Sequence, residues 1–176
     1  MHPHRDMEII TYVLSGAVQH SDSMGNSGII RPGDVQRMSA GTGIFHSEIN
    51  PTDEELYLYQ IWIMPKVKSI EPSYEQKRFE DSEKKNTLRL VASPSGEEGS
   101  VTINQDTKLF ASLLEKGTSV SHDIDKNRAA WLQCVSGKIS VNGKELTTGD
   151  AAAITDEEKL TIEAKEPSHL LLFDLN

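Results

Sequence analysis

The chain is expected to be an all-β protein of two small antiparallel barrels in tandem, and three observations lead there. Short runs rich in β-branched and aromatic residues recur along it, each closed by Gly, Pro, Asn or Asp turn signals. The first such block has an echo in the second. Tyr12-Val13-Leu14-Ser15-Gly16-Ala17-Val18 matches Gln133-Cys134-Val135-Ser136-Gly137-Lys138-Ile139, and Pro32-Gly33-Asp34-Val35 matches Thr148-Gly149-Asp150-Ala151. The length of 176 residues suits one large or two small domains, and 36% hydrophobic with 26% charged residues is the composition of a soluble globular protein.

Each element follows from local chemistry. Glu8 to Gln19 (EIITYVLSGAVQ) reads as strand, tight Ser15-Gly16 turn and strand. Asp22 to Gly28 is a turn cluster, Ile29-Ile30 a short strand, and Arg31-Pro32-Gly33-Asp34 a turn whose proline presets φ. Strands are predicted at Val35 to Ser39, at Ile44 to Ile49 and at Leu56 to Met64, the last being the most hydrophobic and ended by Pro65. Pro65 to Asn86 is polar and charged and is expected to be a connector, with a helical turn within Glu75 to Lys85. Strands then resume at Leu88 to Ala92, Val101 to Asn104, Lys108 to Leu114, Val120 to Ile124 and Ala130 to Val135. A hairpin through Val135 to Leu146 follows, then strands at Ala151 to Ile154, Leu160 to Ala164 and Leu170 to Leu175. The expected domains are residues 1–86, the first barrel with its connector, and residues 87–176.

Charge and composition exclude several functions. A net charge of −9, spread along the chain, repels phosphate backbones, so direct nucleic-acid binding is not expected. No run approaches the roughly 20 apolar residues that span a bilayer, and no signal-like segment begins the chain, so a cytoplasmic protein is expected. Cys134 is the single cysteine, which excludes an internal disulfide, and its apolar neighbours mark it as a small buried hydrophobe.

The chemistry concentrates in two short segments. His2-Pro3-His4 sets two imidazoles two residues apart, so an extended strand points both to one face. His46-Ser47-Glu48 repeats that spacing with an imidazole and a carboxylate. Three imidazoles and a carboxylate suit one borderline divalent ion such as iron, manganese, nickel, copper or zinc. Such an ion keeps open positions for water, dioxygen or a chelating substrate. His122 has no imidazole partner two residues away, and His20 and His169 stand alone, so all three are expected at surface or packing positions and the second barrel without metal.

These residues carry a family resemblance. HPHRDMEIITYVLSGAVQHSDSMGN resembles the first cupin motif, His-x-His-x3-Glu-x7-Gly, and PGDVQRMSAGTGIFHSEINP resembles the second, with His46 and Asn50 in place. More narrowly, HPHRDMEI, MSAGTGIFHSE and LYQIWIMP together resemble the pirin family of two-barrel cupins. The resemblance implies two double-stranded β-helix (jelly-roll) barrels and a site in the first formed by His2, His4, His46 and Glu48, iron being the first-expected metal. Glu8 matches the cupin-motif glutamate, a role that the His-x-Glu carboxylate takes over in pirin-like chains, so Glu8 is left out of the set.

The resemblance also implies a function. Pirin-like proteins are associated with quercetin 2,3-dioxygenase activity in bacteria and with iron-dependent transcriptional co-regulation in eukaryotes. One expectation is therefore an oxygenase that cleaves a flavonol, with Glu48 as the catalytic carboxylate that accepts the substrate proton. The other is a metal- or redox-sensing regulator that binds a protein partner without turnover. Pirin-like chains carry further residues before the His-x-His motif, so the first barrel is expected to be incomplete, with an open edge through which a homodimer could form.

Overall fold

In a computed structural model, which describes all 176 residues, the regular secondary structure is almost entirely strand. It runs through β1 (His2–His4), β2 (Glu8–Ser15), β3 (Val18–Asp22), β4 (Ser27–Ile30), β5 (Asp34–Ser39), β6 (Ile44–Ile49), β7 (Tyr57–Ile63) and β8 (Ser73–Arg78). One helical turn, α1 (Asp81–Lys84), leads to β9 (Arg89–Ser93), β10 (Val101–Thr102), β11 (Thr107–Leu114), β12 (Ser119–Asp123) and β13 (Ala129–Ser136). The chain ends with β14 (Lys138–Val141), β15 (Lys144–Thr147), β16 (Ala151–Ile154), β17 (Lys159–Ala164) and β18 (Ser168–Leu175). No helix is long and apolar enough to cross a membrane.

The chain divides into two compact units, Met1–Phe79 with Ser93–Gln105, and Glu80–Ala92 with Asp106–Asn176. The first has two four-stranded sheets, ordered β1-β6-β3-β4 and β7-β2-β5-β8. The second has a sheet ordered β12-β17-β14-β15 and a run β9-β11-β18-β13-β16. All the ladders for which a register is given are antiparallel, as cupin barrels require.

The two units interleave over residues 80–105, where a single boundary after residue 86 was expected. Residues 93–105 return to the first unit because its polar groups need them. Glu8 is fully buried, and its carboxylate accepts hydrogen bonds from Ser39 Oγ (2.9 Å), Asn104 N (3.1 Å) and Asn104 Nδ2. The Thr102 amide likewise donates to Glu75 Oε2 (2.8 Å), and Arg37 Nε donates to the Thr102 carbonyl (2.7 Å). A buried carboxylate without such donors would be costly, so these contacts fix where the segment lies.

The expected connector also contains a strand. Ser73–Arg78 (SYEQKR) pairs with β5 from Asp34↔Arg78 to Ser39↔Ser73. Its sequence lacks an apolar alternation, and the open edge of β5 recruits it, with Glu75 bonded to both Arg37 and Lys77. The shared Ser-Gly turn behaves as its chemistry dictates. Gly16 takes φ +74° and Gly137 φ +87°, and a Cβ would collide with Glu55 O or Pro167 O respectively.

The inner face of the first barrel alternates as a pleat requires, and the alternation splits its apolar interior in two. Ile9, Met38, Ala40 and Ile44 form one cluster, and Val13, Val18 and Ile30 form another. Between Ile9 and Val13 on the same face of β2 lies Thr11, flanked by Gln36 on β5 and Gln60 on β7. His20, His46 and Glu48 occupy that level on the facing sheet's strands, and the polar belt they make is where the site lies.

Candidate metal centre

Register brings the two sequence segments together. β1 pairs antiparallel with β6 so that His2 lies opposite His46 and His4 opposite Ile44. The period of two then puts His2, His4, His46 and Glu48 on the same side of the sheet. The imidazoles converge: ring centroids are 4.8 Å apart for His2–His4, 4.4 Å for His2–His46 and 4.8 Å for His4–His46. The two Nε2 atoms of His2 and His46 stand 2.8 Å apart.

Donor atoms of His2, His4 and His46 all lie within 4.8 Å of one another. A second group of the same tightness joins His20, His46 and Glu48, so His46 belongs to both. Glu48 is held at each oxygen: Thr11 Oγ1 donates to Oε1 (3.2 Å) and Gln60 Nε2 to Oε2 (2.7 Å). Gln60 is oriented in turn by Trp62, whose Nε1 donates to Gln60 Oε1 (3.1 Å) and whose ring meets His4 edge-on at 5.2 Å.

Electrostatics favour the neutral form of His46 and His4. Burial pushes His46 down to about 4, and His2, His4 and His20 push the same way, against the attraction of Asp22. His4 is lowered as well, by burial and then by His2, with Glu48 opposing. Neutral imidazoles are the form that binds a metal. Tyr74, raised to about 12 by burial and the nearby carboxylates, stays a phenol and donates to Gln76 Oε1 (2.7 Å).

The residues fit a divalent transition ion. Three imidazoles offer their donor atoms to one small space, and the buried Nδ1 atoms of His20 and His46 have no hydrogen-bond partner. Three imidazoles with a carboxylate at hand make the borderline donor set that iron, nickel or zinc prefers.

The structure brings His2, His4 and His46 together, and Glu48 lies with His46. His20, expected at a surface or packing position, is fully buried 5.4 Å from the His46 ring. Its signal was legible, because His20-Ser21-Asp22 carries the same spacing as the other two pairs. Asn50, part of the second motif, lies exposed and closes a loop through the Glu54 carbonyl. Cys134 is buried, with its thiol pushed up to about 11 chiefly by that burial. Both three-donor groups fall in the first unit.

The pirin family model matches residues 1–63, and the one described as quercetinase C-terminal cupin domain matches residues 90–175. A protein of Escherichia coli K12 named quercetin 2,3-dioxygenase is 49% identical over 175 residues, covering 99% of this chain and 74% of its own length. The chain belongs to the pirin family.

Further relatives agree. A Caulobacter vibrioides pirin-like protein is 40% identical over 174 residues, covering 98% of this chain and 75% of its own. Among solved structures, YhhW of Escherichia coli superposes on this pirin-family chain with a TM-score of 0.95 at 48% identity, covering 99% of it and 74% of YhhW. The crystal structure of bacterial pirin YhhW in complex with nickel(II) gives 0.93 at 47%, with the same coverage.

Proposed function

We propose that this chain is a metal-dependent dioxygenase of the quercetinase type, which opens the ring of a flavonol at one divalent transition ion held by His2, His4, His46 and Glu48. The observation that carries the reading is the convergence of three imidazoles beside a carboxylate whose two oxygens are each held by a neutral donor. The relatives' names and the nickel(II) complex of YhhW support it. Such an ion, when bound, supplies Lewis acidity that eases loss of a hydroxyl proton from a chelating flavonol, whose ring then reacts with dioxygen.

The protein's own groups do the rest. Glu48 accepts the flavonol hydroxyl proton, while Thr11 and Gln60 hold the carboxylate in place. Trp62, 54% exposed beside His4, offers an aromatic face on which the flavonol rings stack.

Metal-reconstituted protein should consume quercetin, read as loss of flavonol absorbance, with dioxygen uptake in step. Absence of turnover with iron, nickel, manganese, copper and zinc would sink the enzymatic reading.

A further inference from the structure

The second donor group raises a question that the four expected ligands leave unanswered. His20, His46 and Glu48 bring one donor atom each within 4.8 Å of the others, and this group lies deeper than the first. Its two imidazoles are buried, whereas His2 is exposed and His4 half-buried.

Hydrogen bonding decides which nitrogen His20 can offer. Its Nε2 is committed to Asp22 Oδ2 at 3.1 Å, both side chains being fully buried. Asp22 is itself fixed by the Met24 amide (3.0 Å), the Asn26 amide (3.0 Å) and Asn26 Nδ2. A carboxylate that accepts only takes the Nε2 proton, so Nδ1 carries a bare lone pair, and that atom is buried without a partner. Carboxylate on one nitrogen and an open lone pair on the other is how a metal-binding histidine is prepared. Of the four imidazoles in this barrel, His20 is the one hydrogen-bonded to a carboxylate.

The fold does not require this pair. In the second barrel Val141 faces Ile162 across the ladder position where His20 faces Glu48, and both are packed in an apolar core. A buried histidine with an unpaired nitrogen is therefore an addition to the barrel.

We propose that the first barrel holds a second, inner coordination seat in which a divalent transition ion is bound by His20 Nδ1, His46 and Glu48, with His46 and Glu48 common to both seats. Its nitrogen and oxygen donors suit nickel, cobalt, zinc or iron. The outer seat is the four-ligand site proposed above, whose His2 and His4 are the more exposed donors, and the inner seat exchanges those two imidazoles for the buried His20. The proposal rests on the reading that this barrel is a metal centre.

The test removes the outer donors from the full chain. His2 and His4 lie on the edge strand β1, so the double variant His2→Ala/His4→Ala leaves the barrel interior intact. Nickel(II) and cobalt(II) uptake is measured by chelator competition and by cobalt absorption in the visible. The double variant should still bind one ion per chain, more weakly than the parent. Adding Asp22→Asn should weaken this remaining binding by roughly 10–100-fold, and adding His20→Val, the residue type found at Val141, should abolish it. Circular dichroism and thermal unfolding check that both additions fold. If the double variant takes up no ion while the parent does, the inner seat is overturned and the outer one stands. Undiminished binding after His20→Val also overturns it, and a parent chain that binds no ion overturns the metal reading itself.

Discussion

The two barrels share a ladder and fill it with opposite chemistry. Thr11 lies between Gln36 and Gln60, whereas Leu132, at the same distance before its Ser-Gly turn, lies between Ala152 and Leu172. His2 faces His46, and His122 faces Leu160. In the second barrel Leu132, Val141, Leu160, Ile162 and Leu172 belong to one continuous core, while the polar belt divides the first into two smaller clusters. One imidazole survives at an equivalent place, but it is closed off. His122 Nε2 bonds Asp174 Oδ2 at 2.8 Å, and Arg128 holds the other oxygen of that carboxylate. The barrel therefore folds well on apolar packing alone, and the polar belt of the first half gives up core burial for a site.

That contrast can be broken, and the largest effect belongs to the site. Glu48→Gln should lower kcat for flavonol cleavage by roughly 10²–10⁴-fold, the usual worth of a proton acceptor, while His122→Ala leaves kcat unchanged. Equal losses from both variants in steady-state assays would erase the functional difference between the halves.

Core stability comes next. Leu160→Ala should destabilise the protein by about 2–5 kcal/mol in urea unfolding, because a fully buried side chain leaves a cavity in a packed cluster. A loss under about 1 kcal/mol would show that the second core is not the better packed.

Acid sharpens the comparison from the other side. Burial pushes His169 in the second unit down to about 4, as it does His46 in the first. A depressed folded pKa means that the unfolded chain takes up the proton first. Stability is thus full above the ordinary histidine value and is lost as pH falls from about 6.5 towards 4. Metal-free protein should lose on the order of 2 kcal/mol for His169 alone between pH 7 and pH 5, read by thermal melts. Flat stability across that window would contradict the burial.

The smallest effect is the most telling. His46→Leu copies Leu160 into the first barrel and should change metal-free stability at pH 7 by less than about 1 kcal/mol, since an imidazole with an unpartnered buried nitrogen is exchanged for an apolar group. It should also remove the His46 share of the acid sensitivity. Destabilisation as large as that of Leu160→Ala would mean that the belt is structural.

Much of the architecture was readable from local pattern. Ile44–Ile49 and Ala151–Ile154 are strands with the predicted bounds, and the Ser15-Gly16 turn falls between β2 and β3. One failure has a physical cause. Ser73–Arg78 is polar throughout and becomes a strand only because β5 offers an unpaired edge. The aromatic-rich run Tyr57–Ile63 is a strand as expected, and it takes an edge position with Tyr57 and Trp62 more than half exposed. β18, its counterpart, pairs on both sides, with β13 and β11. Hydropathy marks a strand without saying which position in the sheet it takes.

By itself the amino-acid order determined the strands, the turns and the donor types, because side-chain alternation and glycine's access to positive φ are properties of a few adjacent residues. It also placed His2 with His4 and His46 with Glu48, since period-two spacing is local. Only the tertiary structure decided that β1 docks on β6 with His2 opposite His46, that His20 turns inward beside them, and that residues 93–105 return to Glu8. Strand register and the partners of buried polar groups are settled between segments far apart in the chain, where a shift of one residue would turn every donor to the other face.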